Sequence, residues 1–481
     1  MYAIGVDVGT TVTKAVAFAA DGRALRRAAR PTSLRRVGER HYEQDPDEVV
    51  ASVVEVLAEL ADAADTSGLA AIGVTAQGDG LWLVDDAGRP VRPALSWLDG
   101  RATGILARWA ADGVLEEVFR RTGSLMFPGS SGPLLAWLDA HEPAALDRAA
   151  TAAYCKDVVL QRLTGVRATD VSDTSVPFLD PHTRTYDEKL LAACGLAHRR
   201  HLLAPVRPAP AGELTYPGTG LPAGTVVVAA PYDLPAAAWG AGLDEVGDGL
   251  LIVGTTLACQ VLTDRVDTSG EPCGLTLCTW EPDRWLRALP AMVGTAALDW
   301  VLRLVGATVQ DLPELLATGR GHDLTVLPFF AEAGERAPFV EPGARARIDG
   351  LHLGTGRADI VRATAEAVAY SARHCLTTAG LTGELTACGG GVASAAWAQI
   401  FADVLARPVR VLTGDEVGAR GAALAALRTV GAAPFTSTPA GTTYEPGPDS
   451  ARYADGYARY LEQIDHARPV WAARSRGDAS Q

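Results

Sequence analysis

At the start of the chain, apolar positions gather into two short runs, 2–8 and 12–18, separated by Gly9-Thr10-Thr11. Both runs are rich in β-branched and small apolar residues, which predicts a strand, a tight turn and a second strand. Ala20-Asp21-Gly22 supplies the next turn. Asp45-Pro46-Asp47-Glu48 is a helix start, with an Asp cap, Pro at the first helical position and Glu three residues after the cap. Val49, Val50, Val53, Val54, Leu57, Leu60 and Ala61 then recur at helical spacing. Leu69–Thr75 reads as a buried strand, 76–80 as a polar loop, and Leu81–Val84 with the turn at 85–88 as a hairpin.

From 205 to 224 the chain turns to Pro, Gly and Ala, the composition of a connecting segment. A strand over Thr225–Ala230 leads into Pro231-Tyr232-Asp233-Leu234-Pro235 and a helix of small residues. The strand Leu250–Val253 then ends in Gly254-Thr255-Thr256, an echo of the opening motif. Downstream, 362–377 is predicted helical, Leu385–Cys388 a strand before Gly389-Gly390-Gly391, Ser394–Ala406 a helix, Val409–Leu412 a strand and 418–427 a small-residue helix. The tail is Pro/Thr-rich after 430, helical from about 451 to 465, and expected to fray by 474. Strands alternating with helices argue for α/β architecture with mainly parallel sheets. Two halves that each open strand–GTT–strand point to a duplicated unit: an N-terminal domain over 1–240, a C-terminal domain over 241–435 and a tail over 436–481.

Composition narrows the function. At 481 residues the chain exceeds the size of a single growing core, which agrees with two domains. Net charge is −14 and no basic cluster interleaves with aromatics, so nucleic acid is not an expected partner. No run approaches the roughly 20 apolar residues of a membrane span, and no signal peptide precedes the first strand, so a cytoplasmic location is expected. Seven cysteines without a C-x-x-C read as reduced, buried thiols. Among 43 basic residues only Lys14, Lys156 and Lys189 are lysines, and Lys14 lies just past the first Gly-Thr-Thr.

Asp7-Val8-Gly9-Thr10-Thr11 suits a phosphate turn: Gly9 lets the backbone approach, and the hydroxyls and N–H groups can donate. Asp7 cannot face a polyphosphate without a cation, which implies Mg²⁺ held directly or through water. Gly254-Thr255-Thr256 fits a second phosphate clamp, or a simple turn. Gly389-Gly390-Gly391 with Ser394 could be a dinucleotide fingerprint, but too little chain follows for that fold; a glycine loop against adenosine fits equally. Asp233, between Pro231 and Pro235 at a helix start, is either a cap or the carboxylate that takes a proton from an attacking hydroxyl.

The ordered set of motifs resembles the FGGY carbohydrate kinases, from residue 2 to about 430. It comprises D-x-G-T-T-x-x-K at 7–14, Glu43-Gln44-Asp45-Pro46, Trp97-x-Asp99-x-Arg101, Lys156-Asp157 with Leu163-Thr164-Gly165, and Asp233. It continues with Gly254-Thr255-Thr256, Leu327-Pro328, Gly334-Glu335-Arg336-Ala337-Pro338, Arg362-Ala363 with Glu366, and Gly389–Gly391. The resemblance implies two ribonuclease-H-like domains of the actin-like ATPase superfold with a nucleotide cleft between them. It implies ATP and Mg²⁺ as cofactors. Asp7, Gly9, Thr10, Thr11 and Lys14 would meet the phosphates and Mg²⁺, Gly254 and Thr255 would hold phosphate from the other side, and Gly390 and Gly391 would line the adenosine pocket. Asp233 would be the general base, and the sugar would lie against Gln77, Asp79, Trp97, Asp99 and Asp157. Arg336 could reach the cleft or form a structural ion pair with Glu335. Relatives often form dimers or tetramers, but no residue here marks an interface.

Two departures stand out. Xylulokinases resemble one another in a Met-His-Gly triplet in the loop where this chain has Gly78-Asp79-Gly80, and glycerol kinases in an Arg-Glu pair. After Asp233 the family commonly has Gln or Asn, whereas Leu234 removes one hydrogen bond to substrate. Gln77-Gly78-Asp79-Gly80 followed by Leu83-Val84-Asp85 is closer to kinases of erythritol and L-xylulose than to those of D-xylulose. The expected activity is transfer of phosphate from ATP to a primary hydroxyl of a small polyol or ketose. The alternative from another class is a sugar-independent switch ATPase of actin or chaperone type.

Overall fold

The opening hairpin forms as its pattern predicts. β1 (Tyr2–Val8) and β2 (Val12–Ala19) pair antiparallel around the Gly9–Thr11 turn, which sets Asp7 opposite Lys14. The structure is a computed structural model that describes residues 2–62, 68–321, 323–414 and 416–478, the side chains of 475–478 excepted; the last residues of the expected tail lie outside it. β3 (Ala24–Pro31) extends the meander beside β2. Its sequence gives no apolar rhythm because Ala28 is its one buried residue and Arg26, Arg27 and Leu25 face solvent. β4 (Leu69–Ala76) lies parallel beside β1, and β5 (Val226–Ala229) parallel beside β4. The stretch read as a connector contains an edge strand, Ala211–Glu213, antiparallel to β5.

The second sheet repeats this plan. β6 (Gly249–Val253) and β7 (Leu257–Thr263) pair antiparallel around Gly254–Thr256, and β8 (Trp285–Ala291) follows β7. β9 (Leu385–Cys388) is parallel to β6, and β10 (Val409–Leu412) parallel to β9. Leu275–Cys278 and Gly441–Tyr444 form the edges, so a strand from the tail completes the second sheet.

Helices cover both sheets. α1 (Pro46–Asp62) buries Val49, Val50, Val53, Val56, Leu57 and Leu60. α2 (Asp233–Ala241) is the small-residue helix after β5. α3 (Arg357–Ala379) begins earlier than its apolar pattern because Asp359 accepts from the Gly356 N–H at 2.8 Å and caps the first turn. α4 (Ala395–Leu405) packs beside it. α5 (Val417–Thr429), late in the chain, returns to the first sheet. There a Cβ on Gly5 would stand 1.7 Å from the Ala419 carbonyl oxygen, and one on Gly73 1.9 Å from that of Ala422. Only glycine permits so close a helix–strand approach.

α6 (Ser450–Asp478) runs well past the expected end at 465 and through the expected fraying point at 474. The reason is an apolar stripe at helical spacing, Tyr453, Tyr460, Ile464, Ala467 and Trp471, part of which packs on Phe329 and Phe339. Pro469 sits within the helix and obscures that stripe in the sequence. The halves share a core: Leu250, Leu286 and Cys388 of the second sheet cluster with Ala237, Ala238 and Ala241 of α2. Among the described residues no helix is long and apolar enough to cross a membrane.

Candidate phosphoryl-transfer site

Both hydroxyl turns sit at strand ends, where the Gly9 N–H donates to the Val12 carbonyl and the Gly254 N–H to that of Thr256, closing each turn. Thr11 and Thr255 are exposed at the tips, and Gly9 and Gly254 are partly exposed. Asp7, at the end of β1, lies against the first turn of α5, where a Cβ on Gly418 would come within 2.5 Å of its Oδ2. A carboxylate at a helix N-terminus is stabilised by the helix dipole. Lys14 is its cross-strand neighbour. The Gly389–Gly391 loop packs on the end of β6, with a Gly391 Cβ meeting Val253 at 2.3 Å, so it lies directly beside the second hydroxyl turn. Gly390 faces open space, with no heavy atom within 4 Å of an added Cβ. An open glycine backbone next to a hydroxyl turn is a fitting seat for a nucleotide.

The Thr10 hydroxyl is bonded on both sides within the protein. It donates to Gln77 Oε1 at 2.8 Å and accepts from Trp97 Nε1 at 2.9 Å. Gln77 Nε2 donates to Gln44 Oε1 at 2.7 Å, and Gln44 Nε2 donates to the Thr10 carbonyl at 2.9 Å. This closed ring of hydrogen bonds fastens the phosphate turn to the loop after β4 and to the Trp97 segment. It also uses up the polar atoms of Gln77, which is buried.

Three carboxylates remain partly exposed and electrostatically coupled: Asp7, Asp79 and Asp233. Burial, then repulsion from Asp7, pushes Asp233 up to about 8, although the Leu234 N–H and the start of α2 oppose the shift. Burial pushes Asp79 up to about 7, against the pull of Arg336 and a hydrogen bond with Ser130. Arg336 comes from the other half of the molecule. It donates to the Pro290 carbonyl at 2.8 Å and lies over the Phe127 ring at 5.1 Å, which leaves its charge directed toward Asp79. The Glu335 charge also acts on Arg336, ahead of that of Asp79, so the guanidinium is held between the two acids. The Glu335 Oε1 collects the N–H groups of Met292, Arg336 and Ala337 at 2.9, 2.8 and 3.3 Å.

Asp99 and Asp157, expected against the sugar, are buried, and each meets a neighbouring cation. Asp99 accepts from the Tyr42 N–H at 2.7 Å and from Arg101 Nε at 2.8 Å. Asp157 accepts from Lys156 Nζ at 3.0 Å, and Lys156 lies 2.9 Å from Asp170 and 2.8 Å from Asp173. Lys156 is 0% exposed. One cation among three carboxylates cannot balance them, and burial raises the proton affinity of Asp157 and Asp173. The motif residues thus mark the walls of the site more than its floor. Sequence reading missed Ser130, Phe127, Gly418 and Tyr232, none of which carries a local pattern; only Tyr232, next to Asp233, was within reach of it.

Two hydroxyl turns from duplicated sheets, an open glycine loop and a carboxylate at a helix start beside a second acid fit a two-domain phosphotransferase of the actin-like ATPase fold. The chain belongs to the FGGY family of carbohydrate kinases: the model of the family's N-terminal domain matches residues 2–240 and that of its C-terminal domain residues 280–430. It is 32% identical to an erythritol kinase from Brucella abortus, over 98% of this chain and 98% of that protein. It is 28% identical to a xylulose kinase from Escherichia coli, over 87% of each. A xylulose kinase from Rhodospirillum rubrum superposes with a TM-score of 0.89 at 28% identity, over 98% of this chain and all of that one. The protein is therefore a carbohydrate kinase that uses ATP and a small carbohydrate substrate, not a sugar-independent switch ATPase.

Proposed function

We propose that the chain transfers the γ-phosphoryl group of Mg²⁺-ATP to a primary hydroxyl of a small polyol, erythritol ahead of L-xylulose and D-xylulose. The observation that carries the reading is Asp233: a partly exposed carboxylate at a helix start, facing Asp7, with proton affinity raised to about 8. Such a group accepts a proton at working pH as the hydroxyl attacks. Asp7 and Lys14, neighbours across the hairpin, meet the phosphates at the first turn, and Thr255 meets them from the second. Mg²⁺ bound at Asp7 supplies charge that neutralises the transferring group. Its fit rests on the charge that Asp7 places beside Asp233, which a cation would offset.

On the sugar side, Asp79 and Arg336 offer an acceptor and a donor from opposite halves, and Trp97 adds an apolar face. Erythritol leads because the Gly78-Asp79-Gly80 loop departs from the xylulokinase triplet and because the erythritol kinase relative extends over nearly the whole chain. A coupled ADP-release assay with Mg²⁺-ATP tests this against erythritol, glycerol, D- and L-xylulose, D- and L-ribulose, ribitol and xylitol. Erythritol is expected to give the highest kcat/KM. Release at the no-sugar background with every member would overturn the substrate assignment.

A further inference from the structure

We propose that Tyr232 is a specificity-determining residue, its ring wedged against Gly78 so as to close one end of the sugar pocket and limit the length of the substrate. This deepens the reading above and rests on it. A Cβ on Gly78 would lie 2.4 Å from Cδ2 and 2.5 Å from Cε2 of Tyr232, so the ring occupies the volume that any side chain at position 78 would need. The two positions form one packing unit, which a larger residue at 78 can share only with a smaller one at 232.

The ring is placed to matter. Tyr232 directly precedes Asp233 at the N-cap position of α2, while Gly78 directly precedes Asp79. Asp79 and then Asp233 press their charge on its phenol, so it stands in the field of both. The ring is buried, and the backbone that carries it is tied down on both sides. Its N–H donates to Ser172 Oγ at 3.1 Å, and Ser172 donates to Asp170 at 2.7 Å. Asp170 in turn is held by the fully buried Lys156. On the other side the Thr75 hydroxyl donates to the Pro231 carbonyl at 2.6 Å. A rigid aromatic wall beside the reacting carboxylate shortens the space for carbons distal to the phosphorylated hydroxyl. A misfit of a single carbon in such a pocket costs roughly 10–200-fold in kcat/KM.

The experiment compares wild type, Tyr232→Gly, Gly78→Met and the double variant on four- and five-carbon substrates, with erythritol, ribitol and D-xylulose as probes. Tyr232→Gly is expected to raise the ratio of five- to four-carbon kcat/KM by about tenfold or more. Gly78→Met alone is expected to lose activity with all probes, and the double variant to recover it. A purely structural role would lower all substrates by one factor, so an unchanged ratio in a folded Tyr232→Gly overturns the proposal. Should that variant melt at the assay temperature, Tyr232→Val is judged by the same ratio. If wild type turns over none of the probes, the substrate reading falls. Tyr232 is then judged by whether Tyr232→Gly gains five-carbon turnover, and no gain overturns it.

Discussion

Asp233→Asn removes one proton-accepting oxygen while keeping the size and shape of the side chain. Loss of a general base costs ~10²–10⁴-fold in kcat. With Asp233 at about 8, only about a tenth of the free enzyme is in the competent form at pH 7. Wild-type log kcat/KM should therefore rise with a slope near one from pH 6 and level off near pH 8. The limb in kcat should lie at lower pH, because a cation at Asp7 removes one of the charges that raise Asp233. The variant should lose both the rate and the limb. A second readout follows from linkage. Between its ordinary value and about 8 the folded protein holds a proton that the unfolded chain has released, so stability of the nucleotide-free protein falls as pH rises through that window. Asn has no such proton. The variant should match wild type near pH 4 and exceed it at pH 8, by on the order of a few kcal/mol once partial exposure is discounted. Initial rates across pH 5.5–9 and thermal melts at the two extremes measure both. Turnover within tenfold of wild type, or a surviving acid limb, would refute the assignment of Asp233 as the base.

Thr10→Val keeps the shape at the phosphate turn but removes the acceptor for Trp97 and the donor to Gln77. With roughly 1–3 kcal/mol for each unsatisfied buried group, kcat/KM for the sugar should fall ~10-fold or more, while the KM for ATP moves less; initial rates with each substrate varied in turn decide it. Lys156→Met leaves Asp157, Asp170 and Asp173 without their cation and should cost about 3–5 kcal/mol at neutral pH, read from the denaturant midpoint. Because burial raises the proton affinity of Asp157 and Asp173, the loss should shrink as pH falls and they become neutral; a pH-independent loss would contradict the charge argument.

The sequence by itself determined the strands around each Gly-Thr-Thr, the start of α1 and the candidate base, because each rests on contacts within a few residues: apolar period, turn chemistry and helix capping. The tight turns at Gly9–Thr11 and Gly254–Thr256 are legible in the same way, since such a turn is a local backbone device. Tertiary structure decided the rest. β3 has one buried residue and takes its place from pairing with β2, not from any rhythm of its own. α5 belongs to the first sheet only because Gly5 and Gly73, hundreds of positions earlier, leave room for its backbone. Asp99 and Asp157 stand in linear motifs, and only the fold shows that Arg101 and Lys156 lie against them. The Thr10 hydroxyl is bonded to Trp97 and Gln77, while Arg336, from the other half, lies close enough for its charge to act on Asp79. A side chain's direction is set by the partners that burial brings to it, and those partners lie far away in the sequence.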